Sequence, residues 1–274
     1  MTRVLQISDT HLSPTKRHFA ANWPALLAWA REQRPDLIIH TGDVSVDGAD
    51  QEEDLAYCAS IFRDLPAPVL SVPGNHDVGE AYHPHQPVDR ARLERWRRHF
   101  GGDWWLRDME NWRLLGLNAM LFGSDLPDEE EQFAWLRKAM ADAPGRRIAW
   151  FTHKPLFLEG PDEPDTGYWS VKPGPRKALL DLAREFDVAL IATGHLHKSH
   201  DLRADGCRYI WGPSSGFVVG PEMQPPMPGE CRLGAVTYDF ADSDVTATRE
   251  DVPGLTTYWI DDVVHEVYPP RQAA

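Results

Sequence analysis

The 274-residue sequence is poor in cysteine and has no long apolar run. Its three cysteines, Cys58, Cys207 and Cys231, are far apart and form no CxxC pair, so neither a disulfide framework nor a thiolate zinc site is indicated. No stretch approaches the roughly 20 apolar residues that span a bilayer. The stretch before Asp9 is too short and polar for a signal peptide. We therefore expect a cytoplasmic protein that does not associate with membranes.

Basic residues are also scarce. The chain has 28 Lys and Arg against 42 Asp and Glu, a net charge of -14. A protein that binds a nucleic-acid polymer or an anionic membrane needs a basic surface that releases counterions. These partners are therefore disfavoured, and a small ligand remains the expected partner.

The first half of the chain alternates short apolar runs with helical patterns, which is typical of an α/β fold. Strands are predicted at "RVLQIS" (3–8), "PDLIIH" (35–40) and "PVLSV" (68–72), and helices at "NWPALLAWAREQ" and "QEEDLAYCASIFRDL". We expect one domain over residues 1–274, with a lid inserted at about 81–112 and a β-rich C-terminal segment. The final "TTYWIDDVVHEVY" alternates with period 2 and predicts an edge strand or a contact with a neighbouring subunit.

Turn and cap signals define several elements of the second half. A hairpin is predicted to turn near Glu110 and Asn111, and Asp128 is the predicted N-cap of helix "EEEQFAWLRKAMADA". The pair Asp205-Gly206 predicts another hairpin. Strands are also expected at "RRIAWFTHKP", "DVALIATGHLHKSH", "CRLGAVTYDF" and "DVTATRED", with a helix at "PRKALLDLAREF".

Polar side chains follow five of the predicted strands. They are Asp9, His11, Asp43, Asn75, His76, His153, His195 and His197. In α/β sheets ligands gather at the carboxyl ends of the strands, so these side chains are expected to meet. Carboxylate oxygen with imidazole nitrogen suits divalent ions such as Mn, Fe, Co or Zn. The set exceeds the needs of one tetrahedral ion, and two ions roughly 3.5–4 Å apart are the usual apparatus of phosphoester hydrolysis.

These residues lie in short motifs that resemble a known family. "DTH" (9–11), "GD" (42–43), "GNHD" (74–77), His153 and "GHLH" (194–197) resemble the five blocks of the calcineurin-like metallophosphoesterase superfamily. "LQISDTHLS", "PDLIIHTGDVSVDGADQEEDL" and "LPAPVLSVPGNHDVG" are most similar to bacterial class III cyclic nucleotide phosphodiesterases and related glycerophosphodiesterases. The "DRG" element of serine/threonine phosphatases is absent, because Asp47-Gly48 stands without the Arg, and a phosphoprotein phosphatase is disfavoured.

The resemblance implies a four-layer α/β/β/α sandwich of two mixed sheets, with the metal site at the carboxyl ends of the strands. It implies Asp9, His11 and His197 on one ion, Asn75, His153 and His195 on the second, and Asp43 bridging them. His76 and Asp43 are the expected catalytic residues, with His76 contacting the phosphate or protonating the leaving alkoxide. Asp77 is expected to fix the tautomer of an imidazole.

The expected reaction is attack of a metal-bridging hydroxide on a small phosphodiester. A phosphomonoesterase and a non-catalytic scaffold of the same fold are the alternatives, and a homo-oligomer is left open.

Several other residues allow either a structural or a functional interpretation. His40 is expected to be a hydrogen-bonded core histidine, and His83 and His85 a solvated loop rather than a third metal or substrate site. Trp169 is a candidate for lining the pocket. Arg95, Arg97 and Arg98 either solvate a helix face or steer an anion.

Overall fold

Two β-sheets form the centre of the computed structural model, which describes residues 1–268. The five-stranded sheet has the order β12-β11-β1-β2-β3 and the seven-stranded sheet the order β10-β8-β9-β7-β6-β5-β4. Both are mixed: in the five-stranded sheet β1, β2 and β3 are parallel and β11 and β12 pair antiparallel, and in the seven-stranded sheet the parallel strands are central and the antiparallel pairs lie toward both edges. The strands are β1 (Thr2–Ile7), β2 (Leu37–His40), β3 (Val69–Ser71), β4 (Trp105–Met109), β5 (Trp112–Leu117), β6 (Arg147–Thr152), β7 (Val188–Thr193), β8 (Lys198–Ala204), β9 (Cys207–Trp211), β10 (Glu230–Cys231), β11 (Ala235–Phe240) and β12 (Val245–Glu250).

Alternation along the strands divides the core into layers. In β6, Ala149 and Phe151 belong to the apolar cluster that both sheets share, whereas Trp150 belongs to the cluster that contains the helices. In β1, Val4 and Leu5 divide in the same way, because successive side chains point to opposite faces. The two sheets thus pack face to face with helices outside, and the predicted four-layer fold is confirmed.

Seven α-helices flank the sheets in the described part of the chain. They are α1 (Asn22–Gln33), α2 (Glu52–Ile61), α3 (Asn75–Val78), α4 (Arg90–Phe100), α5 (Pro127–Ala141), α6 (Pro173–Glu185) and α7 (Ile260–Val267). Helix α1 begins and ends where its pattern predicts, since Trp23, Leu26 and Ala30 form its buried face. Among the residues of 1–268, no helix combines the length and the apolar content that a membrane span requires.

Two predictions about helices were wrong. Helix α5 begins at Pro127 and not after Asp128, because proline presets the backbone angle of a first helical residue. Asp128 lies in the first turn and accepts a hydrogen bond from Arg97 at 2.7 Å.

The predicted C-terminal edge strand is helix α7 instead. Ile260, Val263, Val264 and Val267 pack in one apolar cluster, at the i, i+3, i+4 and i+7 spacing of a helical face. The apolar residues of this segment therefore fit a period of 3.6, not 2.

The segment 81–112 contains helix α4 and the hairpin of β4 and β5. The hairpin turns at Glu110 and Asn111 as predicted, and it forms one edge of the seven-stranded sheet. On α4, Arg97 pairs with Asp103, and Arg98 pairs with Glu52. These arginines hold neighbouring elements, while the lid role of the segment stays a prediction. The hairpin at Asp205-Gly206 and the pairing of β11 with β12 are also confirmed.

Candidate metal centre

The carboxyl ends of five strands converge on one buried site. Strands β1, β2, β3, β6 and β7 are followed, in that order, by the segments that carry Asp9 and His11, Asp43, Asn75 and His76, His153, and His195 and His197. Seven of these side chains are buried and His76 is half-buried. The structure therefore brings together all eight residues that the sequence singled out.

The backbone at the site is strained. Five of the ten non-glycine residues with positive φ in the described chain are site residues: Asp9 (52°), His11 (43°), Asp43 (52°), His195 (69°) and His197 (53°). A left-handed conformation costs an L-residue roughly 1–2 kcal/mol. Backbone strain of this kind tends to concentrate at functional sites.

Two glycines allow the loops to approach this closely. Gly42 has φ +94°, and a Cβ there would lie 2.6 Å from Nδ1 of His153. A Cβ at Gly74 would collide with the carboxylate of Asp43. The "GD" and "GNHD" motifs therefore need their glycines for space as well as for backbone freedom.

The first group of possible ligands is Asp9, His11 and His197, whose ligand atoms all lie within 4.8 Å of one another. Nε2 of His197 is 3.4 Å from Oδ1 of Asp9 and 3.3 Å from Nε2 of His11. The other ring nitrogen of His197 is 2.7 Å from the carbonyl oxygen of Phe217. Nδ1 of His11 is 3.1 Å from the hydroxyl of Tyr268.

The second group contains Asp43, His153 and His195. Nε2 of His153 lies 3.2 Å from Oδ2 of Asp43, 3.2 Å from Nδ1 of His195 and 3.3 Å from Oδ1 of Asn75. In both histidines the ring nitrogen that points away from the other ligands faces a backbone carbonyl. Nδ1 of His153 is 2.7 Å from the carbonyl oxygen of Thr41, and Nε2 of His195 is 3.1 Å from that of Tyr168.

Asp43 also lies in a third group, with His11 and His76. One carboxylate oxygen accepts the backbone N–H of His76 at 2.9 Å, and the other lies 3.7 Å from Nε2 of His11. Nδ1 of His76 is 3.0 Å from the carbonyl oxygen of Val46. Asp43 thus stands between the two sides of the site.

The donor set fits divalent metal ions. His153, His195 and His197 each place one ring nitrogen against a backbone carbonyl, which accepts but cannot donate. That nitrogen must carry a proton, so in the neutral ring the other nitrogen turns a lone pair toward the carboxylates. Lone pairs and carboxylate oxygens that face each other at 3–4 Å are favourable when cations lie between them, and such backbone bonds commonly orient ligating imidazoles.

Without metal, burial and the charge of Asp43 set the protonation of these imidazoles. Burial lowers the pKa of His11 and of His195, whose pKa the charge of His153 lowers further. Burial also acts to lower the pKa of His153, but the adjacent carboxylate of Asp43 outweighs it and raises the pKa to about 9. Burial acts to raise the pKa of Asp43, but the nearby His153 and His76 outweigh burial and hold this pKa well below its usual value.

His40 is a buried core residue, as expected. Nδ1 accepts the backbone N–H of Gly42 at 3.2 Å, and Nε2 is 3.0 Å from Oγ1 of Thr10. Burial lowers the pKa of His40 to about 3. The neutral ring therefore ties the loop of Asp9 and His11 to that of Asp43.

The prediction for Asp77 was wrong. Among the described residues no imidazole donates a hydrogen bond to its carboxylate, which accepts backbone N–H groups of Gly74, Val44 and Ser45 at 2.9 to 3.2 Å. An aspartate at the third helical residue of α3 can reach back to the start of the helix, as in a capping box. Asp77 thus fixes the loops that carry Asp43 and Asn75.

Three further side chains at the site were missed by sequence reasoning. The hydroxyl of Tyr168 accepts from the amide of Asn75 at 3.2 Å, and Tyr268 contacts His11. Lys154 is buried and forms an ion pair with Glu80. None lies in a motif, although Lys154 directly follows His153. His83 and His85 lie in an exposed loop and belong to no metal-capable group among residues 1–268.

The fold and the site define a class, the metal-dependent phosphoric ester hydrolases. The chain belongs to the calcineurin-like phosphoesterase family, because the sequence model of this family matches residues 2–199. The predicted resemblance is thereby confirmed.

Relatives within the family carry several activities in their names. The chain is 31% identical over 233 residues to the 3',5'-cyclic adenosine monophosphate phosphodiesterase CpdA of Escherichia coli (strain K12), covering 80% of this chain and 78% of that protein. It is 26% identical to the probable glycerophosphodiester phosphodiesterase GpdQ of Arcobacter nitrofigilis, covering 71% of each. It is 27% identical to the serine/threonine-protein phosphatase CPPED1 of Danio rerio, covering 70% of this chain and 63% of that protein.

Solved structures support the fold. A dimetal phosphatase from Danio rerio superposes with a TM-score of 0.62 at 14% identity, covering 90% of this chain and 95% of that one. A purple acid phosphatase from yellow lupin gives a TM-score of 0.66 at 13% identity, covering 94% of this chain and 52% of that one.

Proposed function

We propose that the protein hydrolyses a small phosphodiester of the cyclic nucleotide or glycerophosphodiester type. The observation that carries the proposal is the set of three imidazoles, each with one ring nitrogen against a backbone carbonyl and the other toward the buried carboxylates. Ligands of this kind suit divalent cations, which can bind and polarise the oxygens of a phosphoryl group. The similarity to the cyclic nucleotide and glycerophosphodiester phosphodiesterases named above supports the diester as substrate.

Two divalent ions are the proposed cofactor. Asp9, His11 and His197 would hold one ion, Asn75, His153 and His195 the other, and Asp43 would contact both. When bound, the ions would supply an activated water and offset the charge of the phosphoryl group. Mn, Fe, Co and Zn all suit a site of imidazole and oxygen ligands.

His76 is the proposed proton donor to the leaving alkoxide. Its Nδ1 can donate to the carbonyl oxygen of Val46, and its backbone N–H holds Asp43. Nε2 would then be the nitrogen available to a substrate, and a ring nitrogen of His76 lies within 4.8 Å of ligand atoms of His11 and Asp43. The imidazolium form would therefore release its proton from Nε2.

A phosphomonoesterase is the second candidate, favoured by the similarity to a relative named as a phosphatase. A scaffold without activity is disfavoured, because all the expected metal ligands are present and five site residues are held in a strained left-handed backbone conformation.

The test compares bis(p-nitrophenyl) phosphate with p-nitrophenyl phosphate, after chelation and after addition of Mn. The proposal expects metal-dependent hydrolysis with the diester preferred. Asp43→Asn should abolish it, whereas Asp242→Asn, at an exposed turn beside Asn111, should leave it intact. Preference for the monoester would favour the second candidate, and hydrolysis unaffected by chelation would refute the metal-dependent site.

A cytoplasmic location is proposed as well. Cys58, Cys207 and Cys231 are all free thiols, as is usual in a reducing compartment.

A further inference from the structure

A groove opens beside the metal centre, between the loops 155–173 and 221–229. It encloses about 310 Å³, and its apolar walls include Leu158, Trp169, Pro225, Pro226 and Met227. This volume is at the lower end of the range for small-molecule pockets. It has room for a ring system of one or two rings.

The groove lies next to the site, with the ring of Tyr168 between Trp169 of the groove and His195 of the site. The ring of Tyr168 lies 4.7 Å from that of His195 and 5.0 Å from that of Trp169, between centroids. Leu196, which separates His195 from His197, packs in one apolar cluster with groove residues Leu158, Trp169 and Met227. A phosphoryl group at the metal centre therefore places its ester substituent within reach of the groove.

Both walls are fixed in place before any ligand arrives. The carboxylate of Glu163 accepts the backbone N–H groups of Leu158 and Glu159 at 2.8 Å and pairs with buried Arg176 at 3.3 Å. On the opposite wall, buried Gln224 donates to the carbonyl oxygen of Leu196 at 2.9 Å. A preformed pocket loses less conformational entropy when its ligand binds.

The charge of the groove selects among ester groups. The described residues that line it include Glu159 and Glu163 and no Lys or Arg. The lining offers no free cation to a substituent with a second negative charge, because Arg176 behind it is already paired with Glu163. A glycerol would leave Trp169 and Met227 without an apolar partner. A flat, uncharged ring would bury the apolar wall and stack on the half-buried indole.

We infer that this groove binds the ester group of the substrate, that this group is an uncharged aromatic ring system such as a nucleobase, and that Trp169 determines the specificity. The inference rests on the proposed function, because it names the part of a phosphodiester that lies next to the phosphoryl group. Trp169 acts by binding and takes no part in bond breaking.

The test measures kcat/KM of wild type, Trp169→Ala and Trp169→Phe on 3',5'-cyclic AMP and on glycerophosphoglycerol, which has no ring. Because stacking of a base on an aromatic side chain contributes about 1–3 kcal/mol, Trp169→Ala should lower kcat/KM for cyclic AMP by about tenfold, mainly through KM. Trp169→Phe should restore most of it, and glycerophosphoglycerol should change less than about twofold. Trp135→Ala, at a half-buried tryptophan on α5, should leave both values unchanged.

Equal losses on both substrates, or no loss on cyclic AMP, would overturn the inference while the proposed function stands. A second measurement needs no turnover. Adenosine, which has no phosphate, is titrated into the metal-depleted protein while NMR follows the indole N–H of Trp169, assigned by its loss in Trp169→Phe. A saturable shift that is confined to this tryptophan supports the groove even if neither diester is hydrolysed, and no shift overturns it.

Discussion

Replacement of His40 by glutamine should make the protein less sensitive to acid. The ring of His40 is buried, and Nδ1 must be unprotonated to accept the N–H of Gly42. Burial lowers its pKa in the folded protein to about 3, whereas an unfolded histidine has a pKa of about 6.5. Below pH 6.5 the unfolded chain therefore binds a proton that the folded protein does not bind. The free energy of unfolding consequently decreases as the pH is lowered.

The magnitude follows from the linkage between proton binding and folding. Between pH 6.5 and 3 this histidine removes about 1.4 kcal/mol of unfolding free energy per pH unit, and from pH 7 to pH 5 about 2 kcal/mol. At pH 7 His40→Gln should lose about 1–3 kcal/mol, because buried partners are left imperfectly paired. On going to pH 5 it should lose about 2 kcal/mol less than wild type.

The assay is urea unfolding at pH 7 and pH 5 in the presence of a chelator, since metal binding is itself linked to protons. His11 and His195, whose pKa values burial also lowers, add to the slope of both proteins, and the difference isolates His40. His265→Gln, at an exposed position on α7, is the control and should follow wild type. The same pH dependence in His40→Gln and wild type would refute the reasoning.

Three further predictions concern the site directly. His76→Ala should lower kcat by about 10²–10⁴-fold with metal content unchanged by elemental analysis; loss of metal would make His76 a ligand instead. Tyr268→Phe removes the hydroxyl beside Nδ1 of His11 and should weaken metal affinity by about 10–100-fold in calorimetric titration, and unaltered affinity would contradict this role. Gly74→Ala should lose metal and lower the melting temperature, because its Cβ meets Asp43; a variant with normal metal content would show that the loop has room to move.

The strand-end residues could be predicted from the sequence because short motifs follow local rules. Asp9 and His11, or His195 and His197, are two residues apart directly after an apolar run, and the topology of an α/β sheet brings such positions together. The sequence also placed α1 correctly, since Trp23, Leu26 and Ala30 follow one helical face.

Other features depend on contacts between distant parts of the chain. Tyr268 lies 257 residues from His11, and no local pattern relates the two. The segment was misread as a strand because Tyr258, Ile260, Val264 and Tyr268 are separated by even numbers of residues, as in an alternating pattern. Only packing against Phe19 and Phe217 shows that the helical face is the buried one. Asp77 was assigned to an imidazole because the "GNHD" motif does not show which backbone N–H groups surround its carboxylate.

The most direct test of the account is anomalous diffraction from crystals of the protein loaded with Mn, combined with elemental analysis of the same sample. The account predicts two ions per chain, one beside Asp9, His11 and His197 and one beside Asn75, His153 and His195, with Asp43 contacting both. A single ion, ions elsewhere in the molecule, or active protein without metal would contradict it.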